Sequence, residues 1–147
     1  MIVIGVAFFL NMLLLQFASP LLVELFYLGW IILGIGALFV VLSVLTLRGK
    51  GTSKVTDSGV YGIVRHPMYL GGLIMFLSHF FFGQNWMIAL NTVIGIICCY
   101  LSIQSGDQRN MEKFGEDYIQ YAERVPRINF ISGIVRVIRD GGYKRTR

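Results

Sequence analysis

Acidic residues are scarce in this chain of 147 residues, with eight Asp and Glu against 13 Lys and Arg. Charged residues of either sign reach only 14%, while 55% are hydrophobic and the mean hydropathy is +0.67. A soluble single domain of this size needs more charge than that, so the composition reads as a small integral membrane protein. Cysteine is almost absent as well. Cys98 and Cys99 are adjacent inside an apolar run, where they build neither a disulfide framework nor a tetrahedral zinc site from themselves alone. Packing is their expected role, and no metal is expected. Internal repeats and low-complexity segments are lacking.

The apolar residues gather in four stretches. Residues 1–17 carry no charge but lack the basic leader and small-residue cleavage site of a secretory signal, so they are expected to stay as a first span. Residues 21–47 form a generous second span, since roughly 20 residues cross the hydrocarbon core. Residues 67–82 and 86–103 make the third and fourth, with only Gly83-Gln84-Asn85 between them, which predicts a tight helical hairpin. The expected fold is thus an all-α integral membrane protein of four transmembrane helices with a cytosolic C-terminal amphipathic helical extension. One membrane domain holds a first hairpin over 1–47, a cytosolic loop over 48–66, a second hairpin over 67–112 and interfacial helices with a basic tail over 113–147.

Every Lys and Arg falls in the linker from Arg48 to Arg65 or in the tail from Arg109 onward. The positive-inside rule puts both segments, and both termini, on the cytoplasmic side, which needs an even number of spans and agrees with four. The net charge of +5 then meets anionic lipid headgroups, and no nucleic-acid partner is expected. Oligomeric state is not legible. Glu24, the one acid in the first two spans, lies four residues after Pro20 and is expected to cap or snorkel at the outer face, with a transport role as the minor alternative. Gly34 and Gly36 sit mid-span with no strand before them, so they are not a dinucleotide fingerprint. They are expected to permit close helix contact.

Beyond residue 103 the fourth helix is expected to run on into water, on the polarity of Ser105, Asp107, Gln108, Arg109, Glu112 and Lys113. Met111, Phe114, Tyr118 and Tyr121 recur at steps of three and four, an apolar stripe with a break at Gly115. Phe130, Ile131, Ile134, Val135 and Ile138 repeat the pattern, with Arg127, Arg136 and Arg139 on other faces. A helix lying in the headgroup layer is the expected form, with partner binding as the alternative. Asp140-Gly141-Gly142 should end it, and a frayed basic tail should follow.

Chemistry concentrates at Arg65-His66-Pro67-Met68-Tyr69-Leu70-Gly71-Gly72, at the lip of the third span. Pro67 suits the first turn of a helix, which puts His66 near the N-cap. The free amides there attract anions, and Arg65 adds a planar fork matched to a carboxylate or phosphate. Tyr61 and Tyr69 are close enough in sequence to line such a pocket, and their faces attract cations, so a ligand with a carboxylate and a positive centre would fit. The same Arg and Tyr residues equally serve as interfacial anchors, and on physics alone the two readings stand even. His79 lies about three turns deeper and is expected to be buried in packing or in an interhelical hydrogen bond.

Ser58-Gly59-Val60-Tyr61-Gly62-Ile63-Val64-Arg65-His66-Pro67-Met68-Tyr69-Leu70-Gly71, followed by Phe114-Gly115-Glu116-Asp117-Tyr118-Ile119-Gln120-Tyr121 and Arg124-Val125-Pro126-Arg127, resembles the isoprenylcysteine carboxyl methyltransferase and phospholipid methyltransferase superfamily. The resemblance covers residues 57–127, and it is the pairing of the two blocks that is specific. It implies an S-adenosylmethionine-dependent enzyme, with the cofactor in a cytosolic pocket over the last two spans and a lipophilic acceptor arriving from the bilayer. Tyr61, Arg65, His66, Pro67, Tyr69 and Leu70 match the cofactor-binding block, with Arg65 and His66 as the candidate catalytic pair. Where the family carries Glu-Glu this chain has Gly106-Asp107, so Asp107 is the carboxylate left to contact the cofactor's ammonium or ribose. The implied acceptor is a prenylated cysteine. A phospholipid amine, a small thiol, or a non-catalytic membrane scaffold that keeps the fold are the alternatives, the last favoured by the missing second acid.

Overall fold

A computed structural model describes residues 2–48, 50 and 54–139. Among the described residues the regular structure is α-helix apart from one short 3-10 turn. Helices α1 (Ile2–Leu15), α2 (Val23–Leu47), α3 (Pro67–Gly83) and α4 (Trp86–Phe114) pack side by side, and α5 (Glu116–Arg124) and α6 (Phe130–Arg139) follow. The 3-10 turn, Gly59–Gly62, lies between α2 and α3. Two of these helices, α2 with 25 residues and α4 with 29, are long and apolar enough to cross a membrane. The apolar α1 and α3 are shorter. At 1.5 Å per residue the 14 residues of α1 reach about 21 Å, less than the roughly 30 Å of a hydrocarbon core. The first stretch is therefore less helical than residues 1–17 suggest, because the chain leaves the helix at Gln16 and turns toward Pro20.

The helix ends follow local chemistry. Pro67 occupies the first turn of α3, with His66 at the N-cap, as a residue without an amide hydrogen should. The Asn85 side chain accepts a hydrogen bond from the Met87 amide at 2.8 Å and caps α4. Between them Gln84 adopts a left-handed conformation, and its side-chain amide exchanges hydrogen bonds of 2.7 and 2.8 Å with the Leu22 backbone, tying the start of α2 to the α3–α4 turn. Gly115, at φ 55°, separates α4 from α5, so the break in the apolar stripe falls where its glycine predicts. The stop signal at residues 140–142 and the basic tail lie outside the described residues.

Close packing explains two of the mid-span glycines. A Cβ on Gly36 would stand 2.8 Å from the Gly71 carbonyl oxygen, and one on Gly71 would stand 2.7 Å from that of Gly36. Helices α2 and α3 therefore touch backbone to backbone, the way small residues join membrane helices. Gly34, in contrast, faces open space. On the other side α1 meets α4 through a buried polar knot. Asn91 donates to the Ala7 carbonyl at 2.8 Å and to the Asn11 side-chain oxygen at 2.9 Å, and Asn11 donates to the Thr92 hydroxyl at 3.2 Å. His79 is 1% exposed and stands edge-on to Phe8, ring centroids 4.6 Å apart, a packing role. Cys99 is buried and unbridged.

Candidate active site

Four main-chain groups around residues 61–66 are held by the segment that follows α4. The Arg65 amide donates to the Pro126 carbonyl at 2.9 Å and the His66 amide to the Arg127 carbonyl at 3.1 Å. The Tyr121 hydroxyl donates to the Tyr61 carbonyl at 2.7 Å, and the Arg136 guanidinium donates to the Gly62 carbonyl. Gly133 of α6 rests directly on the Ile63 carbonyl, where any side chain would collide. The two sequence blocks are thus parts of one clamp.

Inside the clamp lies Asp107, 3% exposed. Its Oδ1 is 2.7 Å from His66 Nε2 and accepts the Tyr118 hydroxyl at 2.6 Å. Arg127 Nε stands 2.8 Å from Oδ2, an ion pair without an aligned hydrogen bond, and Arg65 Nη1 is 3.5 Å from Oδ1. Burial lowers the His66 pKa and outweighs the opposing pull of the Asp107 carboxylate. The imidazole is therefore neutral at pH 7 and its Nε2–H donates to Asp107. Burial and the hydrogen bond to the same carboxylate push the Tyr118 phenol up to about 12, so it stays a proton donor. Burial raises Tyr61 and Tyr121 as well.

Against this cluster opens a cavity of about 550 Å³, within the range of small-molecule sites. Four of the residues expected in a cofactor site line it, namely Tyr61, Arg65, His66 and Tyr69. Pro67 is buried behind the lip and starts α3. Leu70 is half-buried and Asp107 lies behind His66 and Tyr118, so neither forms the cavity wall. Sequence reasoning missed the cations Lys50, Lys54, Arg109 and Lys113 on the rim, and the roles of Tyr118, Tyr121 and Arg127. The stripe of Phe114, Tyr118 and Tyr121 was the available signal, since an apolar stripe ending in hydroxyls has to face something polar.

A family model described as phospholipid methyltransferase matches residues 1–116. The chain belongs to the phospholipid methyltransferase family. The match agrees with the superfamily read from the two blocks. Among curated proteins the chain is similar to a delta(14)-sterol reductase LBR of Gallus gallus, 35% identical over 83 residues. That stretch is 55% of this chain and 13% of the reductase, so the chain spans a small part of that protein's length. No solved structure matches.

Proposed function

We propose that the protein is an integral membrane enzyme that methylates the head of a lipophilic acceptor, with S-adenosylmethionine in the 550 Å³ cavity. The observation that carries this reading is the lining. It mixes cations, Lys50, Lys54, Arg65, Arg109 and Lys113, with aromatic rings, Tyr61, Tyr69 and Phe114. A molecule with a carboxylate, a sulfonium and an adenine ring matches both, the carboxylate by charge and the other two by ring faces. Bound S-adenosylmethionine supplies an electrophilic methyl on sulfur.

The chain's own residues supply position. The neutral His66 and the phenol of Tyr118 are locked on Asp107, so the wall facing the cofactor is preorganised. Holding two reactants in line accounts for much of a displacement's acceleration. Pro67, Leu70 and Asp107 support the wall from behind, while Tyr61, Arg65, His66 and Tyr69 make the contacts. The cationic rim favours an acceptor that is already anionic, and a prenylated cysteine carboxylate is ionised at neutral pH and needs no base. A lipid amine is the second reading, favoured by the phospholipid methyltransferase match. It must lose a proton first, and His66 on the cavity wall is the base on offer.

Placement in the bilayer belongs to the same proposal. Large apolar side chains point outward along α1, α2 and α4, among them Phe9, Trp30 and Val93. Hydrocarbon is the medium that accepts such a surface, and four spans with the linker and α5 on the cytoplasmic side put the cavity at the inner interface. The acceptor's tail then stays in lipid while its head reaches the sulfonium.

The test is labelled methyl transfer in nanodiscs across a series of tail lengths, for a farnesylated cysteine analogue and for an aminophospholipid. Each buried methylene is worth about 0.8 kcal/mol, so removing several should lower apparent affinity by orders of magnitude. A flat series with a small soluble thiol methylated best would refute lateral entry. The likeness to a sterol reductase calls for a parallel titration with NADPH, because reduction requires a hydride donor. Stabilisation by NADPH and none by S-adenosylhomocysteine would replace methyl transfer with reduction.

A further inference from the structure

Helix α6 keeps one edge bare. Ile131, Val135 and Ile138, at steps of four and three, are 77%, 58% and 74% exposed, so they stand on one face of this ten-residue helix. The opposite face is fixed to the lip of the cavity. Gly133 rests on the Ile63 carbonyl, and Arg136 donates to the Gly62 carbonyl. Phe130, in the first turn, stands edge-on to Phe39 of α2, with ring centroids 4.9 Å apart. That contact sets the level of α6. Phe39 lies eight residues before Leu47, the end of α2, which at 1.5 Å per residue is about 12 Å inside the helix. The 25 residues of α2 exceed a roughly 30 Å hydrocarbon core by about 7 Å. Phe39 therefore stays within hydrocarbon even if all of that excess stands on the Leu47 side.

The first turn of α6 brings its own polar partners to that level. The Asn129 carbonyl accepts the Gly133 amide at 3.1 Å and the Ser132 hydroxyl at 3.0 Å, and the Asn129 side-chain oxygen accepts the Ser132 amide at 3.0 Å. Backbone beside lipid needs partners of this kind, since hydrocarbon supplies none. Three side chains are also too small a patch for a stable protein contact, which buries on the order of 1,200 Å² in total. Lipid covers a patch of any size. We propose that the edge of Ile131, Val135 and Ile138 is inserted at the acyl boundary beside α2, so that lipid anchors α6 and, through it, the lip formed by residues 61–66. Arg139, in the last turn, is exposed on this helix as a charged side chain reaching for headgroups must be. The inference rests on the bilayer placement proposed above and not on methyl transfer.

Spin labelling of the full chain in nanodiscs tests the insertion. Ile131→Cys, Val135→Cys and Ile138→Cys, each carrying a nitroxide in a background with Cys98 and Cys99 replaced by Ala, are read by collision with oxygen, which concentrates in lipid, and with a water-soluble nickel chelate. All three should relax mainly with oxygen. So should Leu38→Cys, on the exposed side of α2, whereas Glu116→Cys, exposed at the start of α5, should relax mainly with nickel. Nickel access on α6 with oxygen alone at Leu38 would overturn the insertion and leave the spans standing, while nickel access at Leu38 would overturn both. Labels on α6 shielded from both reagents would show a second copy or another protein on that edge and overturn lipid as the occupant. Hydrogen exchange tests the anchoring. The Arg65 and His66 amides are bonded to the Pro126 and Arg127 carbonyls, just before α6, so Ile138→Glu, which charges the bare edge, should make them exchange severalfold faster in nanodiscs. Ile138→Leu should leave them unchanged, and Ile138→Gln replaces the charged variant should that fold poorly. Exchange as slow in the folded polar variant as in Ile138→Leu would overturn the anchoring.

Discussion

A carboxylate as buried as Asp107 is tolerated because each of its neighbours offers it a proton or a charge: His66, Tyr118, Arg127 and Arg65. The histidine's share has a pH signature. Its folded pKa lies below the usual 6.5 because burial disfavours the imidazolium. Between the folded and unfolded values the unfolded chain binds more protons, so stability rises with pH in that window. The contribution is therefore fully present above about 6.5 and is lost as pH falls through the lowered folded value. Thermal melts in micelles should show a midpoint that drops on acidification below 6.5. His66→Gln, which keeps an N–H for Asp107 but cannot titrate, should flatten that drop, and an unchanged slope would show that His66 is not its source. At this scale the sequence was half legible. His66 and Asp107 stood out singly as an imidazole at a helix start and a lone acid where a pair is expected. Their contact, across 41 residues, depends on the register in which α4 returns along α3, and the short turn between them does not fix that by itself. Arg127 sat in the second block without a role because its place beside Asp107 depends on how the chain folds back after α4.

Element ends were more legible than element contacts. Proline at the start of α3 and glycine between α4 and α5 act through their own backbone, so their effect can be read wherever they stand. The α2–α3 contact depends instead on which glycine faces the partner helix. Gly36 does and Gly34 does not, although they are two residues apart. This separates two substitutions that look alike in the sequence. Gly71→Ala places a methyl against the Gly36 carbonyl and the Val40 side chain, and should cost about 1–3 kcal/mol, the usual range for overpacking. Gly34→Ala and Gly72→Ala, which meet nothing within 4 Å, should change stability by no more than about 0.5 kcal/mol, or raise it through better helix propensity. Melts of the three variants decide it. Equal effects from Gly71→Ala and Gly34→Ala would mean that α2 and α3 do not meet at Gly36 and Gly71.

For the whole molecule the decisive quantity is the distribution of charge along the chain. The α1–α2 turn contains no Lys or Arg, whereas the linker before α3 and the chain from Arg109 onward contain all 13. Membrane insertion retains basic segments on the cytoplasmic side, because moving each across costs energy against both the bilayer and the membrane potential. The polar ends of the packed helices agree with that division, since the cavity, its cationic rim and α5 all lie at the Leu47 end of α2, while Gln84 meets Leu22 at the other. A single-cysteine variant at Ser19, which is exposed in the α1–α2 turn, should therefore react with a membrane-impermeant maleimide added to intact cells. One at Glu116, exposed at the start of α5, should react only after the membrane is opened. Each variant needs Cys98 and Cys99 replaced by Ala; Cys99 is buried in the apolar core, so the background is first checked for retained folding. If both positions react from the same side, one of α2, α3 and α4 fails to cross, α3 with its 17 residues being the shortest of them, and the four-span arrangement fails. If only Glu116 reacts from outside, the crossings of α2, α3 and α4 stand but the orientation is inverted, and the proposed cofactor cavity would open away from the cytosol.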